Sequence, residues 1–282
     1  MKGFINVIKP SGMSSAYAVG AVKKKFNCPC GHMGTLDPMA SGVLPVGLHK
    51  TSRLFDYLLD KTKRYIATFK FGVLTDTLDS TGNVIATSSV IPSKEQIQSK
   101  LTDFVGEISQ IPPKYSAKCI DGKRGYELAR KGVDFTLAPK IVTILDFKLT
   151  KQISDNEFEF TIDCKGGTYI RSLARDLGSS LGSMAIMTSL IRAKSGFFSL
   201  ENGVTIDELK SSSNPEKYII PADLAVDYEK VVLTDKQATK ILNGLFDKYP
   251  LKDGFYRVYN QTEFWGIGVV TDGILKIKAY VR

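Results

Sequence analysis

The sequence is poor in the residues that build metal centres and disulfide frameworks, with four cysteines and two histidines among 282 residues. Cys28, Cys30 and His32 make half of a ligand spacing. A structural zinc site takes four ligands, usually as two spaced pairs, whereas Cys119, Cys164 and His49 stand alone. All four cysteines therefore read as small buried or half-exposed thiols, and no metal is expected. No apolar run approaches the ~18 residues that cross a bilayer. The opening MKGFINVIKP breaks its apolar stretch at Asn6 and Lys9, so it has no secretory core. A cytoplasmic location with no membrane partner is expected. Repeats and low-complexity tracts are absent, and 43% hydrophobic with 24% charged residues excludes a disordered or collagen-like chain.

Several catalytic signatures are missing too. There is no G-x-S-x-G elbow, no H-E-x-x-H pair and no G-x-G-x-x-G at a strand-to-helix turn. Gly42-Val-Leu-Pro-Val-Gly47-Leu-His-Lys50-Thr51 approaches a phosphate-binding loop, but Lys50 falls two residues late and the intervening residues are stiff. Nucleotide hydrolysis is rejected.

What is present is positive charge, unevenly placed. The net charge is +9, and residues 1–70 alone carry +8. Residues 110–140 add +4 and 231–282 add +3, while 71–109 and 196–230 are acidic at −3 and −4. A concentrated excess suits a polyanion, whose phosphates release counterions on binding. For Lys23-Lys24-Lys25 taken alone, the wet face of an amphipathic helix explains the triplet as well.

The pattern along the chain predicts an α+β protein. Strands are expected at 4–8, 43–48, 64–72, around 140–150 and at 157–164. Helices are expected from Ser14 or Ser15 to about Phe26, over Thr51–Leu59, at 93–106, at Gly125–Lys131 and over Thr168–Leu177, the last stopped by Gly178. Residues 75–83 read as a polar turn-rich loop, and the two consecutive prolines in 110–118 exclude a regular element there. After Tyr228 short strands surround a brief helix at 235–243. The reading is a mixed, mainly antiparallel sheet with flanking helices over 1–229 and a small β-rich piece over 230–282 that is too short to be secure alone.

Asp37 is the informative carboxylate, the sole acid between Met1 and Phe55. Pro38 restricts it, and glycines surround it. An Asp-Pro turn and a carboxylate presented to a ligand fit the spacing about equally. The motif around it decides between them. Gly31-His-Met-Gly-Thr-Leu-Asp37-Pro-Met-Ala-Ser-Gly42-Val-Leu44 resembles the signature of the tRNA pseudouridine synthase B family. Supporting matches are Asn6–Ser15, Lys63–Ala67, Gly72–Asp79, Gln110–Ala117, Gly167–Ala174 and Leu190–Arg192 before Ser195-Gly196. They occur in order over about residues 1–200.

The resemblance implies a pseudouridine synthase fold and isomerisation of uridine-55 in the T loop of tRNA, without metal or organic cofactor. It implies Asp37 as the catalytic aspartate, Tyr65 as the tyrosine that packs on the target base, and Arg171 as the arginine paired with the aspartate. His32 would help hold the flipped-out RNA, and Lys9, Tyr169 and Leu190 would bound the pocket. The segment from Leu233 to Gly244 and the later Gly-rich strands resemble a short PUA-type RNA-binding module. A monomer acting on the T-arm stem-loop, with no guide RNA, is expected. Each residue has a plainer reading: Tyr65 and Leu190 as core, Arg171 with Arg175 as a solvated helix edge, His32 as a loop residue. A non-catalytic tRNA-binding or folding protein, or the same chemistry on another RNA, are the competing functions. Ribose attack, ring attack and a glycal route all stay open.

Overall fold

The computed structural model describes residues 2–58, 62–116, 119–120, 123–125, 133, 135–245 and 247–281. Two compact units emerge: Met1–Asp37 with Val43–Asp60 and Gly196–Arg282, and Pro38–Gly42 with Lys61–Ser195.

In the first unit the strand Gly3–Lys9 is buried along nearly its whole length. Val204–Thr205 pairs with it in parallel, Ile220–Pro221 pairs antiparallel, and the strand Ser41–Leu48 neighbours it. Burial on both faces explains why these strands read as continuous apolar runs without alternation. The helix Ser15–Phe26 starts as expected, with the Ser14 hydroxyl accepting from Tyr17 N, and ends at Asn27 in the left-handed region. Its last turn carries Lys23, Lys24 and Lys25, which suit the negative end of the helix dipole. Phe4, Met33, Val43, Leu54 and Phe198 share a core with Ile267, Ala279 and Val281. Residues 229–280 form a five-stranded sheet around a second core centred on the fully buried Trp265, with the helix Asp235–Leu242 beside it.

The second unit is built on a sheet in the order Ala185–Ser195, Lys63–Phe71, Glu157–Cys164, Lys140–Gln152, Gly106–Gln110. These strands are antiparallel throughout. Ser41 and Gly42 add a short parallel edge at Ile191 and Arg192. Alternate residues Tyr65, Ala67, Phe69 and Phe71 face inward against Ile162, Phe160 and Phe158. Ring centroids 4.8 Å apart for Phe69–Phe160 and 5.3 Å for Phe147–Phe160 make this an aromatic core.

Several expectations need correction. The helix expected over Thr51–Leu59 is of the 3-10 kind, His49–Tyr57, whose buried residues Thr51 and Leu54 have the three-residue spacing of that form; Leu59 lies outside the described residues. The helix expected at 93–106 is α-helical over Lys94–Lys100 and tightens to 3-10 over Leu101–Phe104. Gly178 does not stop its helix, which runs Ile170–Ser180. A Cβ at Gly178 would stand 2.6 Å from Ala185 N, so glycine is there to let the next strand approach. The Gly125–Lys131 helix lies, beyond Gly125 itself, outside the described residues. Cys28 and Cys164 are buried and Cys30 half-buried, all free thiols as expected. Burial and the adjoining Cys28 push the Cys30 thiol up to about 12, so it stays protonated at neutral pH.

Candidate active site

In the first unit, the strand Cys30–His32 pairs with Val46–Leu48 and leads into the Asp37 loop. A Cβ at Gly47 would stand 2.6 Å from Ser52 N, so this glycine serves close packing and not a phosphate cradle. Met33 is anchored in the core, and its N–H donates to Pro45 O at 2.9 Å. Gly34 then turns with φ +116°, a conformation that favours glycine. The Ser15 hydroxyl donates to Leu36 O at 2.8 Å and accepts from Leu36 N at 2.9 Å. Ser15 is only 4% exposed, so water does not compete for these bonds. The backbone just before Asp37 is clamped by a neutral side chain, and Asp37 itself remains half-buried. Lys9 is fully buried and its ammonium donates to Pro10 O at 2.9 Å and Met13 O at 2.6 Å. It thereby closes the turn that delivers Ser15. His32 ends the Cys30–His32 strand, opposite Val46.

In the second unit, register fixes one sheet face residue by residue. Tyr65 lies opposite Ile162 on one side and Arg192 on the other, and Leu190 lies opposite Ala67. Arg192 is 1% exposed, so a guanidinium is enclosed beside the tyrosine. Gly42 meets the same arginine: with φ +102°, its Cβ would stand 2.3 Å from Arg192 O. Ser41 and Gly42, where the segment that follows Asp37 enters its strand, therefore lie on one edge of the Ala185–Ser195 strand, and Tyr65 lies on the other edge with Arg192 between them.

Arg171 is buried at 5% exposure, which removes the reading of a solvated helix edge. Its Nη1 donates to Thr77 O at 2.9 Å and lies 3.5 Å from Asp79 Oδ2; Nη2 donates to Tyr115 O at 2.9 Å. Asp79 is organised in turn by Thr77 Oγ1 at 2.7 Å, Thr81 N at 2.9 Å and Thr81 Oγ1 at 2.6 Å. The backbone there is strained, with Leu78 at φ +62°. Hydrogen bonds from Met187 N to Leu78 O (3.1 Å) and from Ser80 N to Met187 O (3.2 Å) hold it. Residues 75–83, read from sequence as a polar loop, thus form a cage for one arginine. Tyr169 precedes the same helix, and its N–H donates to Gln110 Oε1 at 2.8 Å.

The chain matches known proteins in sequence and fold. A family model described as TruB family pseudouridylate synthase (N terminal domain) matches residues 23–170, more than half of the chain. The chain belongs to this family. It is 38% identical to the tRNA pseudouridine synthase B of Clostridium kluyveri, with the alignment covering all of both proteins. It is likewise 38% identical to that of Aquifex aeolicus, over 99% of each. Among solved structures, a Cbf5-Nop10-Gar1 complex contains a chain 27% identical with TM-score 0.69, covering 98% of this chain and 79% of that one. An H/ACA RNP bound to a substrate RNA containing 2'-deoxyuridine contains a chain with TM-score 0.72 at 24% identity, covering 99% of this chain and 85% of that one, a likeness of fold.

For this TruB-family chain, the sequence reading placed Lys9, His32 and Asp37 in what proves to be one unit, and Tyr65, Tyr169, Arg171 and Leu190 in the other. Within the units, the structure brings Leu190 onto the Tyr65 face and sets Tyr169 beside Arg171 at the head of one helix. Sequence reasoning missed four supporting residues: Ser15, Asp79, Gln110 and Arg192. All four lie inside the quoted matches, but a hydroxyl, a loop acid, an amide and a strand arginine carry no local signal of what they hold.

Proposed function

We propose that this chain converts uridine-55 in the T loop of tRNA to pseudouridine, with Asp37 as the catalytic carboxylate, Tyr65 as the base platform and Arg171 as the cation that keeps the carboxylate ionised. Isomerisation of uridine to pseudouridine in tRNA follows from family membership and from full-length relatives that carry that activity in their names. The position in tRNA and the residue roles are our reading. The observation that supports the roles is the register that sets Gly42, shortly after Asp37, and Tyr65 on either side of the buried Arg192.

The reaction breaks the N1–C1′ bond, turns the uracil, and joins C5 to C1′; the C5 proton leaves and N1 gains one. The target base must first leave its stack, at a cost of a few kcal/mol. An aromatic face such as Tyr65 returns roughly 1–3 kcal/mol of stacking. Once the base covers the site, a desolvated carboxylate tends to hold its proton, and a fixed guanidinium opposes that. Arg171 suits such a role because its carbonyl and carboxylate partners set its direction before substrate arrives. An ionised Asp37 then serves as nucleophile or as electrostatic stabiliser of the sugar cation. His32, Lys9, Tyr169 and Leu190 support or bound the site, and the strands after residue 229 act as a PUA-like RNA contact. The chain works alone as a monomer in the cytoplasm, needing the T-arm stem-loop and no guide RNA.

The test is to expose an unmodified tRNA transcript to the protein and map the altered nucleotide. Pseudouridine at position 55, also formed in the isolated T-arm, is the expected result. Binding without conversion, or conversion of a different uridine, overturns the reading.

A further inference from the structure

Lys63 opens the strand that carries Tyr65 and shares its face, with Cys164 opposite on one neighbouring strand and Ser195 on the other. Two residues along a strand is about 7 Å. Asp163, the adjacent carboxylate, belongs to the opposite face, where Arg64 binds it through two hydrogen bonds of 2.7 Å each. Among the described residues, the Lys63 side chain has neither a carboxylate partner nor a hydrogen bond. Its electrostatic neighbours are a second cation, Arg192, and the Cys164 thiol; burial and the guanidinium pull its pKa down to about 8 against a smaller opposing pull from Cys164. Burial pushes that thiol up to about 11, so it is neutral at pH 7. An ammonium kept partly out of water with no counter-charge is unfavourable unless something supplies the charge.

The substrate class supplies it. RNA brings one phosphodiester per nucleotide, and the ~7 Å from Tyr65 to Lys63 along the strand is within reach of a phosphodiester next to a base that rests on Tyr65. We propose that Lys63, reinforced by Arg192, is the seat for a phosphodiester flanking the extruded uridine, and that it positions the nucleotide on Tyr65. This rests on the function proposed above but has its own readout. Lys63 is a positioning residue, holding the backbone while other groups act on the base and sugar.

The experiment is a binding cycle with T-arm stem-loops, each carrying one uncharged methylphosphonate at a linkage around the target uridine. Wild type and Lys63→Met are compared, with Lys63→Arg as the charge-retaining control. One flanking linkage, when neutralised, should weaken wild-type binding about tenfold, the scale of one charge-assisted contact. Lys63→Met should lose a similar factor on native RNA and almost nothing more on that neutral RNA. Its salt slope should fall by about 0.7–0.9, and Lys63→Arg should keep most of the affinity. Thermal stability of Lys63→Met should match or exceed wild type, because no partner is orphaned. Additive losses at every linkage, native-like RNA binding by Lys63→Met, or its marked destabilisation each overturn the proposal. Failure of wild type to form pseudouridine in native RNA would instead strike the functional reading, since the cycle measures binding without turnover.

Discussion

Arg171 and Lys63 are two cations of one unit, both withdrawn from water, yet their surroundings are opposite. Arg171 meets two carbonyl oxygens and the Asp79 carboxylate, and a strained loop is folded to present them. Lys63 meets another cation and a thiol that is neutral at pH 7 and, among the described residues, no carboxylate. The difference teaches where each charge is balanced: for Arg171 within the fold, for Lys63 by what the fold binds. A protein can keep an uncompensated, half-buried charge when the ligand brings the counter-ion.

Removing one partner of the balanced cation should have the largest effect. Arg171→Ala leaves Asp79 buried and unpaired, so unfolding in denaturant should report a loss of about 3–5 kcal/mol, together with loss of turnover. Asp79→Asn keeps the shape and removes the charge, and should cost about 2 kcal/mol by the same measurement. If either variant is as stable as wild type, the cage is not what holds that loop.

Ser15 extends the comparison to the other unit, where the support is a neutral hydroxyl. Ser15→Ala should cost about 1–2 kcal/mol, since it leaves Leu36 N and O unsatisfied in a dry site. Turnover should fall while RNA affinity holds, because the clamp precedes Asp37 and not a phosphate contact. Equal losses in affinity and turnover would argue against that division.

The smallest effect is on pH. Lys63 falls from an ordinary 10.5 to about 8 on folding. The unfolded chain therefore holds more protons across that interval, and stability rises as pH increases from about 8 to 10.5. Allowing for solvent contact, the rise is on the order of 1 kcal/mol. Urea unfolding from pH 7 to 10.5 should show this rise in wild type and a flatter profile in Lys63→Met. A parallel profile in the variant would assign the rise elsewhere.

The sequence made the elements legible where the period was clean. Alternation in 64–72 marked the inward face of Tyr65, Ala67, Phe69 and Phe71, and Ser14 marked the start of its helix. It failed where a residue answers to a distant neighbour. Gly178 looks like a helix stop but makes room for Ala185, and Thr75–Asn83 looks like a solvated loop but encloses Arg171. The same limit hid Ser15, whose position fits a helix start and says nothing of Leu36 twenty-one residues on. For the site, motif resemblance named the residues, while the partners that fix them needed coordinates. Lys63 stood in a quoted match beside Tyr65, and only register showed that it shares that face.

The most direct test of the account is Asp37→Asn, assayed for release of the C5 hydrogen from labelled T-arm RNA under single-turnover conditions. The carboxamide keeps the size and shape and one accepting oxygen but cannot carry the negative charge. The account predicts binding close to wild type with no detectable hydrogen release. Release at a rate near that of wild type would contradict it and remove Asp37 from the chemistry.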